Sequence, residues 1–212
     1  EWKEFRNPDF DHLLPVLQSL DLPWWTVEQD ETPTIGGVVL HVPIALKSPE
    51  AAQLPLRACV GIMMINRFGQ VWLGRRVPKW LGEKGGCIWQ MPQGGIDAGE
   101  NPREAAFREL QEETGITKAE IIAEAPDWLT YDLPRELIGT ALKGKYRGQR
   151  QKWFALRFTG EAKDIDLNAH KHVEFDEYRW VKIDEVPDLI VPFKRQVYQS
   201  VVDIFRPHAK PD

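Results

Sequence analysis

The sequence predicts a mixed α/β fold, a sheet with helices packed on it, preceded by an N-terminal extension. Three observations lead there. Short apolar runs of strand-like composition recur from Arg57 onward, two segments carry clear helix signals, and strands and helices do not alternate in the regular βαβ order of a purely parallel sheet. With 42% hydrophobic residues in a chain of 212, a substantial core can be buried. We expect one globular domain over residues 54–212, with residues 1–53 as an appendage whose role the residues do not reveal.

The appendage differs because Pro8, Pro15, Pro23, Pro33, Pro43 and Pro49 interrupt every emerging period. It offers a short helix at DFDHLLPVLQSL, a strand at GVVLHV and two aromatics, Trp24 and Trp25. From Arg57, RACVGIMMI, the turn NRFG and the returning QVWLGRR read as an antiparallel hairpin. CIWQMP is a further apolar run, followed by a helix, a strand near WLTYDL, a Gly- and Lys-rich loop, and strands at QKWFALRF and EYRWVKI. A closing helix after Pro192 repeats Val197, Val201 and Phe205 four apart, which supplies one apolar face. Trp89, Trp153 and Trp180 sit within the apolar strands and are assigned to the core.

The first of the two helices carries a tension. Asn101 suits its N-cap, Pro102 its first position, Glu104 the third residue of a capping box, and Gly115 a left-handed stop. At about 100° per residue, Ala106, Phe107, Leu110 and Thr114 share one side, while Glu109, Glu112 and Glu113 share an adjoining one. Like charges so spaced repel by roughly 0.2–0.5 kcal/mol per pair, and anions near a C-terminus oppose the helix dipole by up to about 1 kcal/mol each. A hard divalent cation, Mg²⁺ with Mn²⁺ as a substitute, would resolve that repulsion.

The surrounding spacing separates this helix from an ordinary solvated acidic face. GGIDAGENPREAAFRELQEETGI fits G-x5-E-x7-R-E-U-x-E-E-x-G-U, with U a bulky aliphatic, at every position from Gly94 to Ile116. Chance agreement at seven fixed positions is on the order of one in 10⁸ starts. The stretch resembles the Nudix box, and WQMPQGGID, YDLP, GQRQKWFAL, EFDEYRWV and VPFKRQVY extend the resemblance over about residues 54 to 206. They are similar to the bacterial RNA pyrophosphohydrolases and the plant-type dinucleoside tetraphosphate hydrolases.

The resemblance implies an α/β/α sandwich in which Glu109, Glu112 and Glu113 bind metal, with the Gly94 carbonyl as a further ligand. Glu174 is implied as another ligand or a base, and Arg57, Arg76 and Lys194 as contacts to the phosphates. Arg108 and Glu100 are read as structural, because a bidentate arginine-carboxylate pair can brace the box. Tyr131 and Phe193 are the candidates for stacking on bases. The implied reaction is Mg²⁺-dependent hydrolysis of a 5′-triphosphate or 5′-diphosphate on RNA, leaving a 5′-monophosphate that promotes decay. Asymmetric cleavage of dinucleoside polyphosphates is the alternative. A non-catalytic Nudix-fold module binding RNA or nucleotide is a third reading, disfavoured by the intact glutamates.

Composition bounds the partners. A net charge of −5 and a pI near 5.6 argue against polyanion binding by bulk charge, so DNA is not expected as a partner. Lys143, Lys145, Arg147 and Arg150 nevertheless form a local basic cluster in the sequence, suited to an RNA backbone. Two cysteines, Cys59 and Cys87, far apart in sequence and in apolar surroundings, argue against a disulfide scaffold, so a reducing, cytoplasmic setting is expected. No apolar run is long enough to span a bilayer, and no membrane association is expected. His170 and His172 lack companion ligands nearby in sequence and are read as surface residues.

Overall fold

The computed structural model describes residues 34–35, 38–39, 53–77 and 89–212. The expected helix at DFDHLLPVLQSL, Trp24, Trp25 and Cys87 lie outside the described residues. The chain divides into two compact units, one comprising Glu1–Pro55 with Leu133–Arg147, the other Leu56–Asp132 with Gly148–Asp212. The segment Leu133–Arg147, inside the expected 54–212 domain, thus groups with the first unit. In that unit β1 (Thr34–Ile35) and β2 (Val38–Val39) form a small antiparallel ladder, so part of the GVVLHV stretch is a strand.

The second unit is built on one mixed sheet. Its strands are β3 (Leu56–Ile65), β4 (Val71–Arg76), β5 (Trp89–Gln90), β6 (Gln93–Gly95), β7 (Ala119–Glu124), β8 (Leu129–Asp132), β9 (Gly148–Phe158) and β10 (Phe175–Val181). The main path runs β10-β4-β3-β9-β7, with β5 on β4, β6 on β3 and β8 on β9. β3 and β9 pair in parallel from Leu56↔Gly148 to Ile65↔Arg157, whereas the other ladders are antiparallel.

The predicted hairpin is present but splayed, since β3 and β4 share only the Ile65↔Val71 pair before β6 takes over along β3. Its turn is held by Asn66, whose Oδ1 accepts from the Phe68 and Gln70 amides, and by Gly69 at φ +75°. β7, which the sequence did not suggest, pairs with β9, and β9 itself starts at Gly148, three residues before the expected QKWFALRF.

Because strand neighbours alternate faces, β9 serves two cores. Phe154 and Leu156 pack with Val60, Ile62, Met64 and the buried side of α1 (Pro102–Thr114). Trp153, pointing the other way, lies over Gly61 and meets Tyr198 of α2 (Arg195–Phe205) edge-on at 5.5 Å. A sheet between two helices is the α/β/α sandwich expected. Burial of Leu110 or Val201 stabilises each helix on its face by about 1.5–3 kcal/mol.

Three local expectations need adjustment. Ala105 joins Ala106, Leu110 and Thr114 on the buried side of α1, whereas Phe107 is 39% exposed because it falls beyond the edge of the apolar stripe. Asn101 does cap α1, but its Oδ1 accepts from the Arg103 amide at 2.9 Å, one residue short of the amide that a capping box engages. Trp89 and Trp153 are core, while Trp180, near the edge strand's end, is only half-buried against Phe158. Among the described residues no helix is long and apolar enough to cross a membrane.

Candidate active site

β6 pairs with β3 at Cys59↔Gly95, Val60↔Gly94 and Gly61↔Gln93, and two of the predicted residues, Glu109 and Arg57, lie against the two glycines. Gly94 and Gly95 form a side-chain-free window there. A Cβ on Gly94 would lie 1.9 Å from the Glu109 carboxyl carbon, and one on Gly95 would lie 2.2 Å from Arg57 Nη2. The bare backbone therefore allows an acidic helix and a basic strand to approach from opposite sides.

On the acidic side, Arg108 organises the loop before α1. Its Nε and Nη2 donate to the two Glu100 oxygens at 2.7 and 2.8 Å, and Nη2 also donates to the Gly95 carbonyl at 2.8 Å. Its Nη1 donates to Glu109 at 2.8 Å and lies 3.6 Å from Glu112. The guanidinium holds the Glu100 carboxyl down at about 2, and Glu100 in turn accepts from the Asp97 amide. Burial pushes the Glu109 carboxyl above its ordinary range, which Arg108 partly offsets. Glu113 accepts from the Gln93 backbone amide at 3.1 Å, and Glu112 is 48% exposed.

Glu174 immediately precedes β10, its carboxylate 3.4 Å from Arg76 Nε and its carbonyl accepting from the Val77 amide. A register shift between Phe175 and Glu177 leaves Asp176 as an extra residue, and Arg75 ties both Asp176 and Glu177 beside it. Among the described residues no three acidic, histidine or cysteine side chains converge as a metal cluster. The donor set is nonetheless of the kind a divalent cation takes. Glu109, Glu112, Glu113, Glu174 and the Gly94 carbonyl are all hard oxygens, and a Gly94 side chain would fill the space beside Glu109.

On the basic side, Lys194 is only 8% exposed, and burial, reinforced by Arg76, lowers its ammonium to about 8. Its Nζ lies 5.6 Å from the centre of the Tyr131 ring and 3.5 Å from Gln90 Oε1. Tyr131, also 8% exposed, packs on Phe193 with ring centres 5.7 Å apart, so one neighbour already occupies each of these two aromatics. Arg150 lies over the exposed Trp128 ring, whereas Lys143, Lys145 and Arg147 belong to the other unit. His170 and His172 are exposed.

Residues 55–201 match the model of the NUDIX domain. The chain belongs to the Nudix family. It is 53% identical over 167 residues to the RNA pyrophosphohydrolase of Brucella ovis, an alignment spanning 76% of this chain and 93% of that one. Identity to the RNA pyrophosphohydrolase of Mesorhizobium japonicum is 51% over 164 residues, spanning 75% and 95%. In fold this Nudix protein is similar to the Escherichia coli dihydroneopterin triphosphate pyrophosphohydrolase, with TM-score 0.53, 18% identity and coverage of 70% and 98%. It is also similar to a Caenorhabditis elegans Ap4A hydrolase, with TM-score 0.51, 17% identity and coverage of 72% and 99%.

One part of this Nudix site was not anticipated. Gln149 and Gln151 are buried on the Trp153 face of β9, and Gln151 bonds both Gln149 and Gln93. The signal was available in Q-x-Q-x-W, which puts polar amides at alternate positions of a strand facing a core.

Proposed function

We propose that this Nudix hydrolase cleaves the 5′-terminal polyphosphate of RNA, releasing pyrophosphate from a triphosphate end or phosphate from a diphosphate end and leaving a 5′-monophosphate. The observation that carries the reading is the meeting of Glu109 on the acidic helix and Arg57 on β3 across the Gly94–Gly95 window, with the buried Lys194 in the field of Glu113 and Glu174. Such a pairing suits a polyanion that binds through cations. The similarity to RNA pyrophosphohydrolases over nearly their whole length supports RNA as the substrate. A cytoplasmic setting belongs to the same reading.

Glu109, Glu112, Glu113, Glu174 and the Gly94 carbonyl would hold Mg²⁺ or Mn²⁺. When bound, the cations supply positive charge that polarises a phosphoryl oxygen and offsets charge on the leaving phosphates. Arg57, Arg76 and Lys194 orient the phosphate chain by charge-assisted hydrogen bonds to its non-bridging oxygens. Arg108, through Glu100 and the Gly95 carbonyl, fixes the loop from which those contacts are measured. The burial of Lys194 strengthens its attraction for phosphate by limiting competition from water.

The test compares turnover of 5′-triphosphate RNA and diadenosine tetraphosphate by one preparation with Mg²⁺. Higher kcat/KM on RNA is expected. A large preference for the dinucleotide replaces RNA by dinucleoside polyphosphate as the substrate, and no metal-dependent turnover of either leaves a binding module.

A further inference from the structure

A chain of hydrogen bonds runs from the core to the active site through three glutamines. Trp153, fully buried, donates from Nε1 to Gln151 Oε1 at 3.1 Å. Gln151, also fully buried, donates from Nε2 to Gln93 Oε1 at 3.1 Å and to Gln149 Oε1 at 3.0 Å. Gln93 in turn donates its backbone N–H to Glu113.

The direction of the chain is set by its first member. An indole N–H can only donate, so the Gln151 oxygen must face Trp153 and its NH₂ must face the other two glutamines. Each of those must then present oxygen to Gln151, which turns its own NH₂ away. Among the described residues, neither NH₂ meets a protein acceptor. Gln149 lies in register with Arg57 on β3 and Tyr131 on β8, so all three share the sheet face that Lys194 reaches. Reversing the Gln149 amide would turn a carbonyl oxygen toward a pocket whose ligand is anionic.

We propose that Trp153 and Gln151 are positioning residues that fix the amides of Gln93 and Gln149 with their NH₂ groups as donors to anionic oxygens of the substrate's phosphate chain. This rests on the phosphoric-anhydride reading above. Removing the indole donor frees Gln151 to turn over, and Gln149 and Gln93 with it. Substrate then meets a mixture of amide orientations, which weakens binding while the acidic helix stays in place.

The experiment measures KM and kcat of wild type and Trp153→Phe on whichever of 5′-triphosphate RNA and diadenosine tetraphosphate the wild type prefers, with Mg²⁺. A 3- to 10-fold rise in KM with kcat within twofold is expected, roughly the loss of one modest hydrogen bond. A folded variant whose KM stays within twofold of wild type overturns the inference. As a second measurement, the wild-type side-chain amides are followed by ¹⁵N NMR while inorganic tripolyphosphate is added with Mg²⁺. Displaced Gln149 or Gln93 NH₂ resonances support the inference, and unmoved ones overturn it even if Trp153→Phe fails to fold. Wild type that turns over neither substrate instead removes the anhydride reading itself.

Discussion

Glu113 sits between two demands, accepting a backbone hydrogen bond from Gln93 and facing the place where a cation would bind. Glu113→Gln keeps an acceptor for that amide but removes ligand charge. We expect turnover to fall by more than the about 10–100-fold typical of changes behind a metal ligand, with unfolding temperature unchanged or raised without metal because repulsion with its acidic neighbours is relieved. Steady-state kinetics and a melting curve on the same variant check both halves. Lys194 makes a second prediction. Its ordinary value of 10.5 falls to about 8 in the folded chain, surrounded by Arg76, Cys59, Glu113 and Glu174. The unfolded chain holds this proton more tightly, so stability from this group improves as pH rises from about 8 to 10.5. Phosphate affinity moves the opposite way, and KM should climb above about pH 8. In Lys194→Arg, whose guanidinium stays charged, that climb should disappear. The helix glutamates could be named as candidates from the box spacing, and Arg57, Arg76, Tyr131, Glu174, Phe193 and Lys194 only from the wider resemblance. Burial was legible from neither, because Lys194 and Tyr131 are covered by neighbours distant in sequence.

On the proposed reading, the chemistry depends on the helix α1 and its flanking loop. Its start and stop could be read locally: Asn101 and Gly115 act through backbone bonds within the same few residues. Placement of Phe107 outside the core could not, since a stripe's edge is decided by the sheet beneath it. The glycine window yields a third prediction. Gly94→Ala puts a methyl group into the Glu109 carboxylate, so Glu109 must leave its place or the strand must shift. Strain of about 1–3 kcal/mol is expected, with a loss of kcat larger than Gly99→Ala gives, where a Cβ meets open space but the backbone sits at φ +82°. Arg108→Ala removes bonds to Glu100, Gly95 and Glu109 together and should cost about 1–3 kcal/mol, read by denaturant unfolding. The glutamine relay escaped a reading by element because its members belong to β6 and β9, which meet only through the sheet.

At the scale of the whole molecule, metal binding and folding are linked. A cation held only by the folded chain stabilises it by about 2.7 kcal/mol at a hundredfold excess over its dissociation constant. Mg²⁺ should therefore raise the unfolding temperature, EDTA should reverse the rise, and Glu113→Gln should lose most of it. Differential scanning calorimetry decides. The fold class was legible because apolar runs and helix caps are local, but the sheet order was not, since β3 chooses β9 rather than its hairpin neighbour as its main partner. That choice has a consequence for synthesis. A nascent chain leaving the ribosome exposes the edge of β3 from Leu56 onward, yet its parallel partner cannot arrive until Gly148–Arg157 has been translated. Until then β3, buried in the folded chain from Cys59 to Ile65, has an open side, and chaperone demand should peak in that interval.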